Sequence, residues 1–254
     1  MSPRSTLAAL GLLAACAVPD AVATAPAAPT APDAAAATAP PAPEVPPVPA
    51  APAPPLVERP LPWDTGREAL TLAYLRAHRT TPLTGDPAVD ARLTPRVVVL
   101  HWTAGPTADS AWHTFAAPRL AGRPDLADAG ALNVGAHYLV DRDGTILRLA
   151  PEERVLRHCI GLNHLAIGIE NVGGGDKWPL TDAQVAANAA LVRWIAGRQP
   201  VTHLIGHLEY RALEGHPYFE ERDPTYRTTK PDPGAPFMAA VRARVADLGL
   251  AGPK

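Results

Sequence analysis

Cysteine, lysine and aromatic residues are all scarce in this chain of 254 residues. It holds two cysteines, three lysines against 20 arginines, and 5% aromatics. The two cysteines, Cys16 and Cys159, stand in unlike contexts, so a disulfide-stapled fold is excluded. Where lysine is so rare, each one draws attention. An excess of one charge is lacking too. A formal net charge of −2 leaves no basic footprint for a polyanion, so no nucleic-acid partner is expected. No apolar run reaches the ~18 residues that a membrane-spanning helix needs. Proline is the exception to this sparseness. Fourteen of the 31 prolines fall in the first 55 residues. Behind that stretch remain roughly 195 residues, enough for one sizeable globular domain rather than two.

Residues 1–23 read as an export segment. Arg4 and the amino terminus supply positive charge, and residues 7–18 a short apolar stretch. Two processing sites compete. Ala21-Val22-Ala23 offers an ordinary secretory cut. Leu13-Ala14-Ala15-Cys16 resembles a bacterial lipobox, in which the cysteine is lipidated and becomes the first residue. The lipobox is preferred, because all four positions fit it. Cys16 is then a lipidation site and the chain is anchored to a membrane. Ala17 follows, not the Asp that in some bacteria retains lipoproteins at the inner membrane. That points to the outer membrane, facing the periplasm. A cut after Ala23 would give a soluble periplasmic or secreted protein instead. Residues 24–60 are Ala/Pro-rich and read as a disordered linker. At ~3.1 Å per residue, about 40 such residues extend on the order of 100 Å.

Residues 61–250 alternate helix and strand signals. Gly66 to Arg79 spaces Leu70, Tyr74 and Leu75 for one helical face. Helices are expected at Thr107–Ala117 and Thr181–Ala196, each opening on a threonine cap, and at Gly234–Leu248. Thr80 to Pro95 has turn chemistry and reads as a loop. Strands are expected at Arg96–Thr103, Leu165–Glu170 and Val201–Gly206. A hairpin is expected where His137–Asp141 and Thr145–Leu149 flank Arg142-Asp143-Gly144. This mixture predicts a single α/β domain, with a mixed central β-sheet flanked by helices.

Nine histidines are present. His101 and His207 stand apart with Glu170, because each ends or directly follows an apolar strand. Strand ends along one sheet edge are where sites gather. His203 and His207 invite a metal pair at helical spacing. However, Leu204 stands where an HExxH motif has Glu. Pro200, Thr202 and Gly206 favour extended chain, along which the two imidazoles would lie ~13 Å apart. At most one of them is a ligand, and His203 suits a structural role.

Five motifs occur in order: His101-Trp-Thr-Ala-Gly105, His137-Tyr-Leu-Val-Asp-Arg-Asp-Gly144, Ile167-Gly-Ile-Glu170, Gly206-His207 and Lys230-Pro-Asp-Pro-Gly234. Together they resemble the zinc-dependent type-2 N-acetylmuramoyl-L-alanine amidases. That family includes phage lysozyme-type amidases and is related to peptidoglycan recognition proteins. The resemblance covers roughly residues 96–245. It implies zinc in a surface groove, with His101, His207 and Asp232 as ligands. Glu170 would be the catalytic carboxylate and Lys230 the transition-state cation. The implied reaction is hydrolysis of the amide between N-acetylmuramic acid and L-alanine, by a monomer, on peptidoglycan or a muropeptide. The chemistry is consistent. Two imidazoles and a carboxylate leave a fourth tetrahedral position open, and zinc there lowers the pKa of water to ~7.

Several positions need separate comment. His158 falls where the family places a substrate-groove histidine, although Arg157 replaces the aromatic that often precedes it. Cys159 reads as a small buried residue, since nothing places a base beside it. Residues 208–229 read as an added charged loop beside the zinc. That loop contains His216, a rival second ligand; His207 is preferred because it directly follows an apolar strand. A different class is a non-catalytic peptidoglycan-binding module on the same fold. Related recognition proteins lose a zinc ligand. Here all three are kept with Glu170 and Lys230, which favours an enzyme.

Overall fold

The continuous apolar run Val97-Val-Val-Leu100 becomes an interior strand of a six-stranded sheet, its four side chains fully buried. The computed structural model describes residues 51–253. The elements in chain order are β1 (Leu56–Glu58), α1 (Thr65–His78), α2 (Pro87–Asp90), β2 (Val97–Trp102), α3 (Ala108–Ala116), α4 (Pro124–Ala127), β3 (Tyr138–Val140), β4 (Ile146–Arg148), β5 (Ala166–Asn171), α5 (Asp182–Ala196), β6 (His203–Gly206) and α6 (Ala235–Arg244). A 3-10 turn, His207–Leu213, follows β6, and another, Ala246–Leu248, follows α6. The sheet order is β1-β4-β3-β5-β2-β6. β3 and β4 form the antiparallel hairpin, and every other neighbouring pair is parallel. The expected single α/β domain with a mixed, helix-flanked sheet is therefore what the chain forms.

Both faces of the sheet are covered, which is why β2 and β5 read as unbroken apolar runs rather than alternating ones. On one face, Val98, Leu100, Ile167 and Ile169 pack with Val192 and Ile195 of α5 and Val241 of α6. On the other, Val97, Val99 and Ile205 meet Tyr74 of α1, with Leu162 and Tyr210. α5 also carries a buried polar face. Gln184 donates to the carbonyls of Val140 and Val172, and Asn188 donates to Asn171 Oδ1. Asn171 in turn donates to the His101 carbonyl at 3.0 Å. These amides hold the ends of three strands in place.

The start of α5 has the expected threonine cap, and Gln184 makes it reciprocal. Thr181 accepts from Gln184 N and the Gln184 side chain accepts from Thr181 N. Thr181→Ala should lower stability by about 1 kcal/mol, read as a lower urea midpoint at unchanged slope. An unshifted midpoint would show that the cap is dispensable.

Four expectations are corrected. The linker expected over residues 24–60 ends earlier than 60, because Leu56–Glu58 pairs with Ile146–Arg148 as an edge strand. The pairing is made by main-chain hydrogen bonds and continues in Arg59 N to the Arg148 carbonyl (3.0 Å) and Leu61 N to the Leu149 carbonyl (2.8 Å). Prolines nearby are compatible with an edge position. Within the expected loop 80–95, α2 forms where Asp86 caps and Asp90 accepts from Thr84 and Gly85. β6 begins at His203 rather than Val201. The last helix stops at Arg244, short of the expected Leu248. The export segment 1–23, with Cys16, and the linker up to residue 50 lie outside the described residues.

Candidate metal and catalytic centre

Three parallel strands deliver side chains to one rim of the sheet. His101 is the fifth residue of β2, and its Cα partner across the ladder is Glu170 of β5. His207 opens the turn directly after β6. Glu209 holds that turn: it accepts from Gly206 N at 2.8 Å and pairs with Arg242 of α6 at 2.6 Å. Gly206 has a second task. A Cβ there would stand 2.9 Å from both Pro233 and Met238, so only glycine lets the 232–233 segment come this close. Leu208 N then donates to the Asp232 carbonyl at 2.7 Å, which seats Asp232 beside His207.

The result is a buried triad. His101, His207 and Asp232 are 2%, 7% and 6% exposed. His207 Nδ1 lies 3.0 Å from His101 Nδ1 and 3.0 Å from Asp232 Oδ2. His101 Nδ1 lies 3.3 Å from the same carboxylate oxygen. Each residue turns one candidate ligand atom to the others, all within 4.8 Å. Donors ~2 Å from a tetrahedral zinc stand ~3.3 Å from one another, so the spacing suits that ion. The charge suits it too. Burial pushes the Asp232 carboxyl up, but the His101 and His207 imidazoles against it outweigh this and hold the group well below the usual carboxylate range. Burial, with His101 beside it, lowers His207 to about 4, so it is neutral at pH 7. An anionic carboxylate with neutral imidazole is the protonation state that metal binding requires.

Glu170 and Lys230 flank the triad. Burial lifts the Glu170 carboxyl to about 7, while His101 beside it opposes this. Its Oε2 is buried without a hydrogen-bond partner among the described residues. Lys230 lines the same cleft two residues before Asp232 and draws the Glu170 pKa downward. The cleft has a volume of about 350 Å³. Ser110 and Thr114 of α3, Arg123, Tyr226 and Thr229 form part of its walls.

The other sequence-named residues sort clearly. His158 is 9% exposed and its ring nitrogens face inward: Nδ1 lies 3.1 Å from His101 Nε2, and Nε2 3.1 Å from the Ala166 carbonyl. His158 also lines the cleft, with both ring nitrogens engaged by protein groups. His216 is not at the triad; its ring meets His203 at 5.2 Å and Tyr218 at 4.6 Å. His203 itself contacts Thr202 Oγ1 through Nδ1 at 2.8 Å. Cys159 is buried, and burial pushes its thiol well above the usual range. The 208–229 segment folds against α1 through Glu220 with Arg79 and Glu221 with His78.

Two features went unread in the sequence. Arg157 is buried and donates to the carbonyls of Leu126, Gly130 and Leu132 and to the Tyr226 hydroxyl, tying a cleft wall together. His137 is fully buried, bridging Gly168 N and the Arg154 carbonyl, and burial lowers its pKa to about 4. An arginine in an otherwise apolar stretch was the available signal for the first. His137 opens one of the five motifs, but nothing local marks it as a buried bridge between backbone groups.

Comparison with known proteins bears on this arrangement. A family model described as N-acetylmuramoyl-L-alanine amidase matches residues 91–235, more than half of the chain. The endolysin of Escherichia phage T7 is 41% identical over 56 residues, which is 22% of this chain and 37% of the endolysin. The chain thus matches little more than a third of that relative's length. Among solved structures, the endolysin amidase LysCS from Clostridium intestinale URNW is similar with a TM-score of 0.48 and 22% identity, over 77% of this chain and 98% of that one. Human PGRP-IBETAC, solved with glycosamyl muramyl pentapeptide, gives a TM-score of 0.42 and 18% identity over 59% and 85%. On the strength of the family match over residues 91–235, the chain belongs to the N-acetylmuramoyl-L-alanine amidase family.

Proposed function

We propose that this chain is a zinc amidase that hydrolyses the amide between N-acetylmuramic acid and L-alanine in peptidoglycan or a muropeptide. The observation that carries this reading is the convergence of His101, His207 and Asp232 at one end of the sheet, inside the cleft that Glu170 and Lys230 also line. His101, His207 and Asp232 would hold the metal. Zinc, when bound, supplies a Lewis acid that polarises the scissile carbonyl and acidifies water. The rest falls to the protein. Glu170, with a carboxyl near neutrality, accepts a proton from the attacking water and returns it to the leaving alanine nitrogen as the C–N bond breaks. Lys230 opposes the negative charge that develops on the carbonyl oxygen. The walls from α3 and the 226–229 segment hold the substrate across these groups. Zymography on purified cell walls tests the reading. Clearing, with release of new L-alanine amino termini, is expected; wall binding without such termini would overturn it.

The same proposal includes a location. Lipidation at Cys16 would anchor the domain to a membrane outside the cytoplasm, where peptidoglycan lies. Several acyl chains on one cysteine would hold it firmly, whereas a single chain anchors marginally. Fractionation of wild type and Cys16→Ser checks this. Wild type should sediment with membranes and the variant should not. Equal soluble mature protein from both would leave the cut after Ala23 as the correct one.

A further inference from the structure

We infer that His158 is a positioning residue that fixes the tautomer of His101, turning a lone pair on His101 Nδ1 toward His207 and Asp232. The inference rests on the metal reading above and is carried by hydrogen-bond polarity along three groups. The Ala166 carbonyl can only accept, so His158 Nε2, 3.1 Å away, carries a hydrogen. Among the described residues no carboxylate pairs with His158, and a buried imidazolium without one is costly. The ring is therefore neutral, and its Nδ1 is an acceptor. His101 Nε2, 3.1 Å from that Nδ1, must then carry the hydrogen they share. A neutral His101 with its hydrogen on Nε2 has its lone pair on Nδ1. That is the atom 3.0 Å from His207 Nδ1 and 3.3 Å from Asp232 Oδ2. Without His158, the His101 ring could carry its hydrogen on either nitrogen or turn over.

The place of the His158 ring is built into the surrounding chain. Asn163 Oδ1 accepts from the backbone N–H of both His158 and Cys159 at 2.8 Å. The ring lies over Gly168 in the middle of β5. A Cβ there would come within 2.8 Å of His158 Cγ, so the glycine of Ile167-Gly-Ile-Glu170 makes the room. His137 stands edge-on behind it, ring centres 5.9 Å apart, and accepts from Gly168 N at 3.0 Å. The orientation of a ligand by a partner on its other ring nitrogen is a recurring device of metal sites.

The test uses the whole protein and zinc in competition with a chelator. His158→Leu keeps bulk and removes the acceptor; zinc affinity should fall ~10- to 100-fold. His158→Asn offers a side-chain oxygen near the position of Nδ1 and should recover most of that loss. A role in packing alone would lower the melting temperature of both variants without separating their zinc affinities, and would overturn the inference. Nitrogen NMR of metal-free wild type gives a second readout, independent of any variant. The His101 hydrogen is expected on Nε2; finding it on Nδ1 would overturn the inference. If wild type itself binds no zinc, the metal reading fails and this one with it. If wild type binds zinc and His158→Leu binds it equally well, only this inference fails.

Discussion

Glu170→Gln is expected to lower turnover ~10²- to 10⁴-fold while zinc content stays at the wild-type level. Glutamine keeps the length and shape of the side chain but cannot carry a proton between water and the leaving nitrogen. Glu170 sits across the β5–β2 ladder from His101 and is not one of the three converging ligand residues. The carboxyl is also close to its ideal strength for this task. Burial and the nearby Asp232 carboxylate favour the neutral acid; His101 and Lys230 pull the other way, and the balance falls at about 7. A group balanced there is both a usable base and a usable acid at neutral pH. Metal analysis beside steady-state kinetics on a muropeptide separates the possibilities. Unchanged turnover would remove Glu170 from the reaction, and lost zinc would make it part of the metal site.

His101→Ala, His207→Ala and Asp232→Ala are each expected to lose zinc and, with it, all activity above background. Two remaining donors cannot complete the set of three that a catalytic zinc site needs. The Asp232 carboxylate, buried against both imidazoles, also loses a polar neighbour when either histidine is removed. His216→Ala is the control. Its ring meets His203 and Tyr218 edge-on, away from the triad, so zinc should remain bound. Mass spectrometry under native conditions reads the metal directly. Zinc lost from His216→Ala and kept by His207→Ala would reverse the ligand assignment.

What could be read before folding depended on how local each signal was. β2 and β5 were legible because a strand buried on both faces needs an unbroken apolar run. α5 was legible because Thr181 and Gln184 form their cap three residues apart. Asp232 was not legible in this sense. It lies 25 residues beyond His207 in irregular chain, and only the order of motifs singled it out. β1 was hidden because three residues show no periodicity, and its partners lie 90 positions away at Ile146–Arg148. His158 was placed in the right neighbourhood, in the lining of the cleft, but the engagement of its ring nitrogens was not legible. Its ring is turned inward by Asn163 and by a space over Gly168, and neither is visible in the His158 motif itself.

The edge strand β1 also decides where the domain can be handled. Leu56 is level with Ile146, which is level with Val140, Asn171 and finally Trp102, next to His101. Four strand spacings of ~4.8 Å separate the two ends of that row, about 19 Å in all. Ala251 bridges to His203, which is level with Val97 at the other rim of the sheet. Leu56 and Ala251 therefore lie at opposite rims of the sheet. A bulky partner fused before Leu56 would share the rim that carries the His101–His207–Asp232 triad and crowd the mouth of its cleft. One fused after Ala251 stands five residues down the strand axis, roughly 16 Å away, and leaves the cleft mouth clear.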